Sequence, residues 1–226
     1  MTHLNKELQD LKDSILEMWN LVQLQLEKGE TALTNFDKDL AREIIANEKR
    51  VNAFEIKIDK DCENIFALFN PVAIDLRFVL SVLKINTNLE RIGDMVDGIA
   101  HFVIDVEKPF DKELTEKTEL LEMFKNAYKI IEDSKNAFET EDTMLARTIF
   151  SQDEMLDIVN KKAPVTITEY IKNHPEQIPQ CLNVLSMIRK LERVGDQSKN
   201  IAEEIIFYIE AKVLKHSGKK NKLLKL

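Results

Sequence analysis

Apolar residues recur along the chain at intervals of three and four positions, the spacing that places them on one face of an α-helix. The pattern predicts six long helices, at about residues 2–27, 37–69, 72–106, 111–139, 142–173 and 175–214. Asp37 and Asp142 are the expected N-caps of the second and fifth helices. We expect Gly29 to end the first helix and Pro164 to kink the fifth.

One helix carries the clearest apolar stripe, and the last helix repeats it. The stripe in the third helix consists of Phe78, Val82, Ile85, Leu89, Ile92, Val96, Ile99 and Val103. The corresponding positions in the sixth are Gln180, Val184, Met187, Leu191, Val194, Ser198, Ile201 and Ile205. Stripes of this kind are the packing faces of antiparallel helix bundles.

The sequence is internally duplicated. The hexapeptide Leu-Glu-Arg-Ile-Gly-Asp at 89–94 recurs as Leu-Glu-Arg-Val-Gly-Asp at 191–196, and residues 37–52 are matched by 142–157. One repeat therefore spans three helices, and an unrecognised repeat would mis-assign the whole fold. The predicted fold is all-α, with two three-helix bundles in tandem at 1–107 and 108–214, followed by a basic flexible tail at 215–226.

Composition supports this fold and excludes several functions. Only 5 Gly and 5 Pro occur in 226 residues, too few for the turns of a sandwich or barrel. No uncharged stretch approaches the roughly 20 residues of a membrane-spanning helix. The net charge of −8 disfavours nucleic-acid binding. The N-terminus lacks the apolar core of a secretion signal, and Cys62 and Cys181 lack metal or redox spacing, so a cytoplasmic protein is expected.

Pairs of acidic residues four positions apart mark both repeats. We call Glu48, Glu90 and Asp94 the first acidic ridge, and Asp153, Asp157, Glu192 and Asp196 the second. The two carboxylates of such a pair repel each other on one helix face. Gly93 and Gly195 lie within the pairs of the hexapeptides and lower helix stability, but a missing Cβ lets a neighbouring helix or a ligand come close. If the second and third helices of a repeat are antiparallel, the pairs face each other. Oxygen-only ligands of this kind suit hard cations such as Mg, Ca, Mn or ferric iron.

Other interpretations of these residues remain open. A single acidic pair is usually solvated helix surface, and a duplicated one could be inherited without function. The Glu-x-x-His pairs of ferritin-like di-iron proteins are missing from the sequence, as are a phosphate-binding glycine loop and a serine or cysteine nucleophile. Arg91 and Arg193 are either surface charges or compensate the neighbouring carboxylates. His101 is expected to be packed or partly exposed rather than a ligand.

The doubled hexapeptide, with Pro-Val-Ala-Ile-Asp-Leu-Arg at 71–77, resembles the PhoU family of phosphate-uptake regulators over about residues 5–212. The resemblance implies a non-enzymatic negative regulator that links the ATPase subunit of the phosphate ABC transporter to the sensor histidine kinase of phosphate-starvation signalling. It also implies a homodimer with only peripheral membrane association, and multinuclear iron or zinc, with Mg or Mn as alternatives. The implied metal ligands are Glu90, Asp94, Glu192, Asp196, Asp153, Asp157 and, in the weakest copy, Glu48.

The chain departs from the family pattern mainly in its first repeat. Asn52 and Asn88 stand where acidic residues are common, and Gly98 stands where Asn is usual, although Asn200 retains it in the second repeat. These departures predict a weaker or different metal site in the first repeat. Two further functions stay open: a helical adaptor without metal, and an enzyme that uses carboxylate-bound metal for hydrolysis or oxidation.

Overall fold

The structure is a computed structural model that describes residues 2–214. These residues form seven α-helices and no strand: α1 His3–Asn35, α2 Lys38–Phe69, α3 Ala73–Asp105, α4 Lys112–Lys117, α5 Leu120–Thr140, α6 Thr143–Asn173 and α7 Ile178–Glu210. A single 3-10 turn, Pro175–Gln177, precedes α7. The all-α class and the two tandem three-helix repeats are confirmed. The predicted basic tail, residues 215–226, lies outside the described residues.

The two predicted N-caps have the same geometry. The Asp37 side chain accepts hydrogen bonds from the backbone N–H groups of the second and third residues that follow it, at 3.0 and 2.9 Å. The Asp142 side chain does the same at 2.8 and 3.0 Å. Each cap satisfies donors of the first turn that have no partner within the helix. The duplication therefore extends to the local hydrogen bonds that start α2 and α6.

The predicted end of the first helix is wrong. Helix α1 continues past Gly29 to Asn35, and Phe36 ends it in the left-handed conformation at φ 53°. Gly29 is buried inside the helix, where a Cβ would stand 3.4 Å from the ring of Phe124 and 3.5 Å from Val96. The glycine permits close packing rather than a left-handed turn, so it does not act as a C-cap.

The fourth predicted helix is interrupted. Residues 112–117 form α4, and α5 begins at Leu120 after Glu119, which has φ 55°. The Thr118 hydroxyl donates to the Leu114 carbonyl at 2.7 Å and so caps the last turn of α4. Leu114 and Leu120 are both fully buried on either side of the break. No glycine or proline marks the site, which is why the sequence pattern runs through it.

The two repeats share one apolar core. Helix α3 packs against α7, and α1 packs against α5. Four aromatic side chains, one from each of these helices, meet at the junction: the ring of Phe138 lies 5.6 Å from Trp19 and 6.1 Å from Phe78, and Phe78 lies 5.5 Å from Tyr208. All residues of both predicted stripes are buried, including the polar Gln180 and Ser198. The stripes are thus packing faces, as predicted.

The two polar members of the second stripe are satisfied within the fold. The Gln180 amide accepts from the Asp111 backbone N–H at 2.9 Å and donates to the Pro109 carbonyl at 3.0 Å, which ties the segment between the repeats to α7. The Ser198 hydroxyl donates to the Val194 carbonyl at 2.8 Å. Within residues 2–214, no helix combines the length and apolar character required to cross a bilayer.

Candidate metal centre

Glycines at the hexapeptides bring neighbouring helices into close contact. A Cβ on Gly93 of α3 would lie 3.2 Å from the Glu48 carboxylate and 3.2 Å from Val51, both on α2. A Cβ on Gly195 of α7 would overlap the Asp153 carboxylate and approach Leu156 to 2.8 Å, both on α6. Because each glycine lacks a side chain, one carboxylate of the neighbouring helix, Glu48 or Asp153, fits beside the acidic pair of the hexapeptide. This is the close approach that the sequence predicted.

In the first ridge, Glu48 is strained electrostatically. Both of its carboxylate oxygens are buried without a hydrogen-bond partner among the described residues. Burial, together with the charges of Asp94 and Asp97, raises the pKa of Glu48 to about 7, although the neighbouring Gln25 side chain opposes that rise. Burial and the charge of Asp94 also raise the pKa of Glu90. These carboxylates are held together at an energetic cost that a bound cation would relieve.

In the second ridge, a lysine lies among the carboxylates. The Lys199 Nζ is 2.6 Å from Asp153 Oδ2 and 2.8 Å from Asp196 Oδ1. Asp153 is only 2% exposed, and its other oxygen, Oδ1, has no partner in the described part of the chain. Burial raises the pKa of Asp153, and Lys199 opposes that rise. Asp157 pairs with Lys161 at 3.6 Å, and burial and the charge of Asp196 raise the pKa of Glu192.

All seven predicted ligands lie in the grooves between α2 and α3 or between α6 and α7, so the structure brings each ridge together. Across residues 2–214, however, no three His, Cys, Asp or Glu side chains are positioned as they stand to hold one metal ion. Asp94 is exposed, and Glu90 and Glu192 are partly so. Exposed side chains change rotamer within nanoseconds, so a cation could draw these groups together.

The sequence interpretation missed three residues of these grooves. Gln25 of α1 is fully buried beside the first ridge; its Nε2 donates to the Ile44 carbonyl at 3.4 Å, and its Oε1 has no partner within 2–214. Asp97 adds a fourth carboxylate to the first ridge. Lys199 adds an ammonium to the second. The spacing of Lys199 from Asp196 was visible in the sequence, but its contact with Asp153 depends on how α6 and α7 pack.

The charge of the first ridge is not set by Asn52. Asn52 is exposed on α2, and Asp97 supplies the first ridge with another carboxylate. No Lys, Arg or His of residues 2–214 forms an ion pair with Glu48, Glu90 or Asp94, and the nearest such pair joins His101 to Asp97 at 3.5 Å. His101 is exposed, as are Arg91 and Arg193. The first ridge is therefore the less neutralised of the two.

Oxygen donors, unpartnered buried oxygens and uncompensated charge make the first ridge chemically suited to a hard cation. The second has the same kind of donors, with part of their charge already neutralised. These features define the class of the chain: an all-α protein of two tandem three-helix repeats, with an acidic groove on each.

Comparison with known proteins shows the family. The PhoU domain profile matches residues 15–103 and 120–205, once in each repeat. The phosphate-specific transport system accessory protein PhoU of Edwardsiella tarda is 32% identical over 214 residues, covering 95% of this chain and 87% of that protein. The protein of the same name from Escherichia coli K12 is 31% identical, covering 95% and 88%. The chain belongs to the PhoU family.

Solved structures agree with this assignment. The crystal structure of PhoU from Pseudomonas aeruginosa superposes with a TM-score of 0.84 at 30% identity, covering 93% of this chain and all of that one. The phosphate transport system regulatory protein PhoU from Streptococcus pneumoniae gives 0.82 at 29% identity, covering 94% and 100%. The resemblance stated from the hexapeptides is confirmed.

Proposed function

We propose that this chain is a regulator of phosphate transport that represses phosphate uptake and phosphate-starvation signalling when phosphate is abundant. The observation that carries the proposal is the match of the PhoU domain to both repeats, together with relatives named as accessory proteins of a phosphate-specific transport system. The chain acts by binding other proteins and is not an enzyme. Those relatives are named as accessory proteins, which supports this part of the proposal.

The proposed partners are the ATPase subunit of the phosphate ABC transporter and the sensor histidine kinase of the phosphate two-component system. In this proposal the protein is a cytoplasmic homodimer that reaches the membrane only through these partners. Helices of more than thirty residues with few buried side chains, such as α2 and α6, give it long exposed faces for such contacts.

We also propose that the acidic ridges hold cations, with iron or zinc as the first candidates and Mg or Mn as alternatives. Glu48, Glu90 and Asp94 would be ligands in the first repeat, and Asp153, Asp157, Glu192 and Asp196 in the second. A bound cation would neutralise the facing carboxylates, which stabilises the packing of α2 on α3 or of α6 on α7. The unpartnered oxygens of Glu48 and Gln25 support the proposal for the first ridge.

The regulatory role is tested by deleting the gene in its own host and measuring a phosphate-starvation reporter at high phosphate. We expect the reporter to be expressed in the deletion strain and repressed again by the intact chain. Capture of the purified transporter ATPase by the tagged protein tests the partner. A deletion strain that represses the reporter normally would contradict the proposed regulation.

Elemental analysis tests the cation proposal. Protein purified without chelator is compared with Glu90→Ala/Asp94→Ala and with Glu192→Ala/Asp196→Ala. We expect metal to fall in at least one variant. Equal metal content in all three would remove the ligand assignment.

An adaptor without metal is the second candidate function. It is favoured by the finding that no three side chains of residues 2–214 are positioned around one ion. It predicts metal-free protein that still represses the reporter.

A further inference from the structure

The two repeats differ in charge at one equivalent position of their ridges. Asp97 lies three residues after Asp94, and Lys199 lies three residues after Asp196. The duplicated hexapeptide fixes this alignment. The first repeat thus places a carboxylate where the second places an ammonium. Position 97 raises the negative charge around Glu48, whereas position 199 neutralises Asp153 and Asp196.

The Lys199 ammonium has the contacts of a bound cation. It bridges Asp153 of α6 and Asp196 of α7, at 2.6 and 2.8 Å, and so joins the two helices that form the groove. An ammonium in two short ion pairs is held in its charged form, so Lys199 contributes a full positive charge to the groove.

We propose that Lys199 is a built-in cation of the second ridge, so that the first ridge binds an external divalent cation readily and the second binds one only when Lys199 is displaced. This inference rests on the proposed cation-binding function. It assigns the two repeats of one chain different roles. The first groove binds external cations, and the second is already occupied by the ammonium of Lys199.

The first ridge has no equivalent internal cation among residues 2–214. His101 pairs with Asp97 at 3.5 Å from the exposed side, while Lys190 of α7 and Arg91 act on Asp97 and Glu90 from a distance. None of these forms an ion pair with Glu48, whose two oxygens stay buried and unpartnered in this part of the chain. The fully buried Gln25 adds an unpartnered oxygen beside it. An external cation is thus the missing partner in the first groove.

The second ridge keeps a vacant donor despite its lysine. Asp153 Oδ1 is buried without a partner in the described residues, so its donor set is not exhausted by Lys199. The Lys199 side chain is 29% exposed and has a route to solvent. A divalent cation entering here must therefore displace the ammonium from Asp153 and Asp196, which weakens its apparent affinity.

The experiment measures Mn²⁺ binding to the full chain by equilibrium dialysis after chelator treatment. Glu48→Gln/Glu90→Ala/Asp94→Ala removes the three carboxylates of the first ridge, so the second can be followed alone. In this background we expect the Lys199→Met protein to bind Mn²⁺ more tightly, by about tenfold or more, than the protein that retains Lys199, because the variant lacks the positive charge that repels the ion. Lys199→Arg retains the charge and is expected to match Lys199. Lys172→Met, which removes an exposed lysine in the last turn of α6, is the control for charge alone.

The reciprocal change tests the first ridge. With the second ridge removed by Asp153→Asn/Asp157→Asn/Glu192→Ala/Asp196→Ala, Asp97→Lys introduces a lysine at the equivalent position and should weaken Mn²⁺ binding about tenfold or more. Asp105→Lys, an exposed position at the end of α3, is the control for charge alone. Circular dichroism of each variant without metal checks that the helices remain folded.

Three results separate this inference from the proposed function. Tighter binding in Lys199→Met and weaker binding in Asp97→Lys support it. Equal Mn²⁺ affinity with Lys, Arg and Met at position 199 overturns it, while leaving cation binding intact. If neither the wild-type chain nor any variant binds Mn²⁺, the inference fails, while the elemental analysis of protein purified without chelator decides the cation proposal separately.

Discussion

The Lys190 side chain of α7 lies against Gly98 of α3, where a Cβ would overlap its ammonium and stand 2.8 Å from its Cε. The equivalent pair, formed by the same positions of the other repeat, is Asn200 and Asn88, whose side chains share a hydrogen bond of 3.3 Å. At one of these two contacts between α3 and α7, two side-chain amides are hydrogen-bonded. At the other, a lysine side chain lies against a glycine. The absence of a side chain at position 98 makes room for this lysine. Burial raises the pKa of Asp97, and the charges of His101 and Lys190 partly oppose that rise.

Two helical glycines near the grooves, Gly195 and Gly98, should respond differently to alanine. Gly195→Ala is expected to lower the free energy of unfolding by about 1–3 kcal/mol, because the new Cβ meets Leu156 and an Asp153 side chain that Lys199 holds in place. The measurement is urea unfolding followed by circular dichroism.

Gly98→Ala is the matched control for that change. Its Cβ meets only the end of the flexible Lys190 side chain, which can move aside, and alanine favours a helix interior by about 1 kcal/mol. We therefore expect Gly98→Ala to leave stability unchanged or raise it. Equal destabilisation of both variants would show that the Asp153 contact does not decide the outcome.

Glu48 should make the stability of the metal-free protein depend on pH. Its pKa is about 7 in the folded chain against 4.5 as the ordinary value, so between these limits the folded state binds more protons than the unfolded one. Stability is then fully present below about pH 4.5 and lost as pH rises through 7. Glu48→Gln removes this loss and should raise stability at pH 8 by about 1 kcal/mol, since solvent screens a half-buried group.

The measurement for Glu48→Gln is urea unfolding at pH 8 and at pH 4.5, in the presence of chelator. The difference from wild type is expected at pH 8 and should shrink at the lower pH. A difference of equal size at both values would assign the effect to packing rather than to the charge of Glu48.

The aromatic junction should make both repeats unfold together. Phe138→Ala removes the ring that contacts Trp19 of the first repeat, as well as Tyr208 of its own. Its cost should be about 3–5 kcal/mol, as for a large aromatic residue in a core. Wild-type and variant proteins are expected to melt in one calorimetric transition. Two separate transitions in the wild type would mean that the repeats are independent folding units.

Removing either N-cap should cost the same. Asp37→Ala and Asp142→Ala each delete two hydrogen bonds of nearly identical length to a first helical turn. Each is expected to lower stability by about 1 kcal/mol, as measured by chemical unfolding. Asp39→Ala is the control, since Asp39 follows the cap and forms an ion pair with the exposed Arg42. A loss as large in the control would indicate a general charge effect.

The sequence was sufficient to predict what depends on local periodicity. The stripes of α3 and α7, the caps at Asp37 and Asp142 and the narrow contacts at Gly93 and Gly195 all follow from spacing and residue type. The break at Glu119 could not be predicted in this way, because the left-handed backbone conformation of this residue is determined by the packing of the segments on both sides of it. The groove residues Gln25 and Lys199 were missed for the same reason: their partners lie on other helices, and only the packing brings them together.

The junction of Trp19, Phe78, Phe138 and Tyr208 has a consequence for any attempt to divide the molecule. A half-length protein cut between the repeats would leave two of these rings facing water, along with the faces of α3 or α7 that now cover each other. Such a fragment would regain a covered surface most simply by pairing with a second copy of itself. Expression of one repeat alone should therefore yield a symmetric dimer in which two copies pack as the two repeats of the intact chain do.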